Sequence, residues 1–239
     1  MTATRRADYG VDGYRYLVGL AATSITSLGL ALAAHAVVPR VSLVAGALGI
    51  LAAVPALLGV QYVAWGKFRH RDRLLALVDW RGDERVLDVG TGGGLMAIGA
   101  ARRVPRGSVI GVDVWVAKDL SGNAAERARH NVRLEGVAER VEIRDGDARA
   151  LPFTAGSIDV IVSTLCVHNI DDSEGRQAAL SEMARVLSAG GTLVLSDLDH
   201  VPAYADWLRG LGMRVQIHGP FWDTFPPQRV IVAKRAEST

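Results

Sequence analysis

From residue 16 to residue 66 the chain carries one charged residue, Arg40. A stretch that long has too few polar side chains to form the surface of a globular domain. It divides into residues 16–38, uncharged when His35 is neutral, and residues 41–66, with no charge at all. Each exceeds the roughly 20 apolar residues that a helix needs to cross a bilayer. Only Pro39 and Arg40 separate them, so the pattern predicts a helical hairpin with spans at 16–38 and 41–65. Ala45, Gly49 and Ala53 recur every four residues, a small-residue face on which helices approach closely. Pro55 is expected to kink the second span, which membrane helices tolerate.

The flanks orient the hairpin. Arg5, Arg6 and Arg15 precede it; Lys67, Arg69, Arg71 and Arg73 follow it; Arg40 alone marks the far turn. Positive charge gathers on the cytoplasmic side, so both ends are expected there. Tyr14, Tyr16, Tyr62 and Trp65 would form an aromatic belt at that face. Two other readings compete. Ala34-His35-Ala36 resembles a signal-peptide cleavage site, but a second long span follows at once. A pair of buried helices in a soluble protein is the other, and the length without charge weighs against it.

Charge splits at the same place. Residues 1–70 hold six Lys/Arg and two Asp/Glu, a net +4. The other 169 of the 239 residues hold 21 and 23, a net −2, and are enough for one domain with its own core. The pI of about 8.9 therefore belongs to the flanks of the apolar block and does not mark a nucleic-acid binder. The single cysteine, Cys166, excludes an intramolecular disulfide. The expected organisation is a membrane anchor over 1–70 and a globular domain over 71–239, its oligomeric state unspecified.

Strand and helix signals alternate along that domain. Strands are expected at 86–89, 108–112, 141–143, 158–163 and 192–196, with a last pair at 213–217 and 229–233. Helices are expected at 74–80, 95–103, 124–134, 176–187 and 202–211. Asn123 and Glu126 suggest a capping box, and Gly190-Gly191 a helix stop. The predicted class is α/β: a Rossmann-like, mostly parallel sheet with a C-terminal antiparallel strand pair, behind a two-helix transmembrane hairpin. Ligands of such sheets bind beyond the carboxyl ends of the strands.

There the first strand runs into Asp88-Val89-Gly90-Thr91-Gly92-Gly93-Gly94. Glycines let the backbone turn sharply against a ligand, and the helix behind offers unpaired N–H groups. Gly92-x-Gly94-x-x-Ala97 also satisfies a dinucleotide pattern, so a nicotinamide-dependent oxidoreductase stays open as an alternative. The second strand ends in Asp113, which can take both ribose hydroxyls in either site type. Trp115 either covers an adenine or fills the strand end.

Asp88-x-Gly90-x-Gly92-x-Gly94 resembles motif I of class I S-adenosylmethionine-dependent methyltransferases. Gly146-Asp147-Ala148 before Leu151-Pro152-Phe153 resembles that family's third-strand motif. The segment from Ile158 through Thr164, Cys166, His168 and Asn169 resembles the fourth strand, and Glu182-x-x-Arg185-Val186-Leu187 with Gly190-Gly191 the helix that follows. These matches cover about residues 80–200 in order and are closest to the ubiquinone/menaquinone C-methyltransferases. The resemblance implies S-adenosylmethionine held by Asp88, Gly90, Thr91, Gly92, Gly94, Asp113, Trp115, Asp147, Ala148 and Thr164. It places Asp88 near the methionine amino group and Asp147 near the adenine amino group, with both and Asp113 around one cavity.

His168 is the candidate proton acceptor or, alternatively, a structural histidine. Cys166 is expected to be a buried filler. Asp197 and Asp199 are either substrate contacts or solvated acids. The aromatic loop at 218–227 either covers the acceptor or packs on the sheet. His70 and His200 lack partners at metal-ligand spacing, so no metal is proposed. The expected activity is methyl transfer to a lipophilic small molecule at the cytoplasmic membrane face, a non-catalytic S-adenosylmethionine-binding membrane protein being the other alternative. The expected partners are that molecule and the membrane, not nucleic acid.

Overall fold

The computed structural model describes residues 7–237, so the flank residues Arg5 and Arg6 lie outside the described residues. Helix α1 (Tyr14–Ala34) and helix α2 (Pro39–Gln61) form the hairpin. Their most apolar stretches are only 6% and 22% buried, which sets aside the buried-helix alternative. Both are long and apolar enough to cross a membrane. The seam of α2 is Ala45, Gly49, Ala52 and Gly59, with Ala52 taking the place expected of Ala53. A Cβ on Gly49 would lie 2.7 Å from Leu28, and one on Gly59 2.2 Å from Leu17. Small residues are thus what allows this approach.

No linker joins the hairpin to the domain. After α2 one π-helical turn (Tyr62–Gly66) leads into α3 (Lys67–Leu75), so the expected boundary at residue 70 falls inside one continuous helix. Of the helix expected at 74–80, only Leu74 and Leu75 are helical, as the end of α3, and both are buried in the core. Tyr62 is also buried, leaving Tyr16 and Trp65 as the exposed aromatics at this end.

A chain of buried polar groups explains the docking. His70 Nε2 lies 2.7 Å from Ser196 Oγ, Ser196 Oγ donates to Gln228 Oε1 at 2.8 Å, and Gln228 Nε2 donates to the Tyr62 hydroxyl at 2.9 Å. Burial, with Arg73 nearby, pushes the His70 pKa down to about 4, so the ring is neutral. Ser196 has spent its proton on Gln228, so Nε2 must donate and Nδ1 accept from Arg73 at 3.2 Å. Arg73 also chelates Asp223 at 3.0 and 2.6 Å.

The sheet has seven strands: β1 (Arg85–Val89), β2 (Ser108–Asp113), β3 (Val141–Asp145), β4 (Ile158–Thr164), β5 (Leu187–Asp197), β6 (Arg214–Phe221) and β7 (Gln228–Lys234). Their order is β3-β2-β1-β4-β5-β7-β6; only β7 runs antiparallel to its neighbours β5 and β6. The expected architecture and terminal antiparallel pair are therefore present. Alternate residues of β1 face opposite layers. Leu87 and Val89 pack with α6 (Ser173–Val186) and α7 (Val201–Gly210); Val86 packs with α3, α4 (Leu95–Ala101) and α5 (Ala125–Leu134).

Two local expectations fail. Asn123 does not cap α5; its amide reaches Asp113 instead. Gly190-Gly191 does not end α6, which passes directly into β5 at Leu187 and leaves both glycines in the strand.

Candidate active site

The strand order reverses at β1, between β2 and β4, and the carboxyl ends diverge there into a crevice. Gly90, Gly92 and Gly94 have φ of 76°, 50° and 85°, which a side chain would strain. A Cβ on Gly90 would also stand 2.5 Å from the Cβ and Sγ of Cys166. The two strand ends touch here only because one of them lacks a side chain.

Asp88 works behind this loop. Its Oδ2 accepts from the Thr91 hydroxyl at 2.7 Å and from the Ala97 N–H in the first turn of α4 at 2.9 Å. Burial raises its pKa to about 7, and its Oδ1 has no partner. Neither Asp88 nor Thr91 lines the cavity of about 440 Å³ beyond the strand ends, and Gly94 stands back as the N-cap of α4. Of the three acids expected around one cavity, Asp113 and Asp147 face it, and Asp88 faces the reverse of the loop.

The cavity wall carries Gly90, Gly92, Asp113, Asp147, Ala148 and Thr164. Asp113 accepts from the N–H groups of Gly92 (2.8 Å) and Trp115 (2.7 Å) and from Asn123 (3.2 Å). A carboxylate has about four lone-pair sites, so a ribose taking two would displace one of these bonds, Asn123 being the longest. Arg149 chelates Asp147 and holds its pKa below the usual carboxylate value. Trp115 does not line this cavity, and its Nε1 donates to Asp145 at 2.7 Å. Val114 and Val116 line the wall in its place. Thr164 presents a buried hydroxyl with no partner. This orphaned donor, the glycine cradle and the strand-end carboxylate fit a polar nucleoside.

A second cavity of about 460 Å³ adjoins the first and shares Asp12, Lys118, Asp119, Leu165 and Asn169 with it. Its far side is formed by Tyr16, Leu17, Gly59 and Val63, the feet of the two apolar helices, with Phe225 and Pro226 below. The aromatic loop thus divides: Phe225 lines this cavity, and Phe221 packs on the core and on His70.

His168 faces this second cavity from the turn after β4. Its Nδ1 lies 2.5 Å from Asp197 Oδ1, and its backbone N–H donates to Asp197 Oδ2 at 3.1 Å. Asp197 is fully buried at the end of β5, so it is neither a substrate contact nor a solvated acid. Burial lowers the His168 pKa, but Asp197, helped by Asp119 and Asp199, outweighs burial and leaves it raised. A histidine backed by a buried carboxylate is equipped to take a proton. The residues missed from the sequence are Asp12, Lys118 and Asp119. Asp12 had one signal: an acid directly before an apolar span, on the flank where bases are expected.

The family comparison agrees with this geometry. A model described as a methyltransferase domain matches residues 86–191. A methyltransferase of Streptomyces halstedii, GfsG, is 35% identical over 130 residues, 54% of this chain and 43% of that protein. The ubiquinone/menaquinone biosynthesis C-methyltransferase UbiE of Dinoroseobacter shibae is 30% identical over 136 residues, 56% of this chain and 51% of that protein. The crystal structure of an O-methyltransferase family protein from Burkholderia thailandensis matches 79% of this chain and 61% of that one, with a TM-score of 0.60 at 17% identity. Residues 86–191 therefore resemble a methyltransferase domain, a similarity that favours S-adenosylmethionine over the nicotinamide alternative. The chain spans about half the length of the relatives it matches, and α1 and α2 precede the matched region.

Proposed function

We propose that this protein transfers a methyl group from S-adenosylmethionine to a lipophilic small molecule at the cytoplasmic face of a membrane, with residues 1–70 as its anchor. One observation carries the proposal: the second cavity, beside the nucleoside cavity, is walled by the feet of two helices suited to a bilayer. A lipophilic acceptor held in the membrane would meet His168 without crossing water. Exposed Trp65 and Tyr16 suit the interfacial region at that end, and Arg69 and Arg73 follow on the same side. Two relatives named for quinone methylation, from Dinoroseobacter shibae and Thermus thermophilus, support the substrate class by analogy.

In this reading Asp113 holds the ribose, Asp147 and Ala148 face the adenine, and the glycine loop passes under the ligand. The bound group supplies a methyl carbon already activated by a positively charged sulfur. The protein's tasks are to align the acceptor, exclude water and remove a proton. Neutral His168 accepts the proton of an acceptor hydroxyl or acidic carbon, and Asp197 stabilises the imidazolium that results.

Membranes containing the full chain, given methyl-labelled S-adenosylmethionine, should place label in the lipid extract. Label confined to protein or nucleic acid overturns the substrate class. Protease added outside sealed inverted vesicles should digest the catalytic domain, and full protection there overturns the orientation.

A further inference from the structure

Residues 7–13, immediately before α1, form a strap across the glycine loop. Asn131, fully buried on α5, grips both: its amide donates to the carbonyls of Asp8 (2.6 Å) and Gly93 (2.8 Å). A Cβ on Gly93 would lie 2.9 Å from Tyr9 Cα, so strap and loop are in direct backbone contact. Val11 bonds Ser121, and Asp12 bridges to Leu120.

Under the strap lies a small hollow of about 70 Å³ that continues into the nucleoside cavity, sharing Gly90, Gly92 and Thr164 with it. Its wall carries opposite charges: Asp12 from the strap, and Lys67 and Arg71 from α3. Among the described residues, no ion pair within 4 Å joins Asp12 to Lys67. Lys67 is 6% exposed and gives one donor to the Gly10 carbonyl at 2.7 Å, which leaves two. Burial weakens both charges, raising the Asp12 pKa and lowering that of Lys67. Opposite charges on the wall of one hollow match a zwitterion.

We infer that the anchor completes the cofactor site: Asp12 takes the α-ammonium of the ligand's amino-acid end, and Lys67 takes its α-carboxylate. A carboxylate is an acceptor-only partner for an ammonium, and a lysine is a donor-only partner for a carboxylate. Asp88, the residue expected at the ammonium, is turned to the back of the loop and leaves that place open. The inference rests on the methyltransferase reading and adds that the segment joined to the first apolar helix holds the ligand directly.

Calorimetry on the full chain in detergent tests it with two ligands. S-adenosylhomocysteine has the amino-acid end; 5′-methylthioadenosine keeps the nucleoside and thioether without it. Asp12→Asn and Lys67→Gln should each weaken S-adenosylhomocysteine at least ten-fold and leave 5′-methylthioadenosine within two-fold. That retained binding also shows the variants are folded. Asp88→Asn should shift both ligands alike. Unchanged S-adenosylhomocysteine binding by Asp12→Asn, or equal losses for both ligands, overturns the inference. Wild-type protein that binds neither ligand overturns the methyltransferase reading itself, and this one with it.

Discussion

The two cavities at the sheet edge are built by different means. Most of the nucleoside side is made from short runs, each at the end of its own strand: 89–92, 113–116, 146–149 and 164–166. The acceptor side is made from residues far apart in the chain, such as Leu17, Gly59, His168 and Phe225. The first kind of site is fixed by local backbone geometry. The second exists only after a long apolar hairpin has docked on a finished sheet. Local damage should therefore disable the first side, and loss of docking the second.

The largest effect is expected at His168. His168→Ala should lower kcat by about 10²- to 10⁴-fold, the usual range for a proton-transfer residue. Label appearing in the lipid extract measures it. The acidic limb of the wild-type rate profile should lie above the ordinary histidine pKa, because Asp197 favours the protonated ring. Activity then rises as pH climbs through that raised value. Asp197→Asn should move the limb to lower pH and reduce its plateau. An unmoved limb would assign Asp197 a structural role only. Neither change should weaken S-adenosylhomocysteine by more than a few-fold, since His168 does not line the nucleoside cavity.

The reverse case is Gly90→Ala. The added methyl would meet Cys166 at 2.5 Å and force a positive φ on a side chain. Strain of roughly 1–3 kcal/mol follows, and S-adenosylhomocysteine affinity should fall about ten-fold or more. Cys166→Gly in the same chain removes the opposing atoms and should restore part of that loss. Full affinity in Gly90→Ala alone would show the loop to be looser than the packing implies.

What could be read in the sequence follows the same division. The strands, the glycine loop and the places of Asp113, Asp147 and Thr164 on the cavity wall were legible because each depends on a few neighbours in the chain. Asp88 was legible as important but not in its direction: one carboxylate serves equally to bind a ligand or to hold the first turn of a helix. Residue 70 falls inside one continuous helix because a change in composition from apolar to charged need not interrupt a helix. His70, Ser196, Gln228 and Tyr62 could not have been joined by any local pattern; His70 and Ser196 are 126 positions apart.

That polar chain gives the most direct test of docking. Ionising His70 would place a second positive charge beside Arg73 and remove the Nδ1 acceptor. Its pKa is about 4 in the folded protein against an ordinary 6.5. The unfolded chain therefore binds the extra proton first, and stability falls as pH drops from about 6.5 toward 4. The loss reaches at most about 3 kcal/mol, since each pH interval of one between the two values is worth about 1.36 kcal/mol. His70→Gln should flatten this part of the stability curve while carboxylates titrating in the same range keep their share. Tyr62→Phe removes one acceptor from the far end of the chain and should cost about 1 kcal/mol at neutral pH. Because Tyr62 also lines the acceptor cavity, this variant should raise KM for the membrane-dissolved acceptor and leave S-adenosylhomocysteine binding intact. A Tyr62→Phe protein with wild-type stability and KM would mean that the helix feet are held by apolar packing alone, and the two sides of the edge would then differ less in construction than their residues suggest.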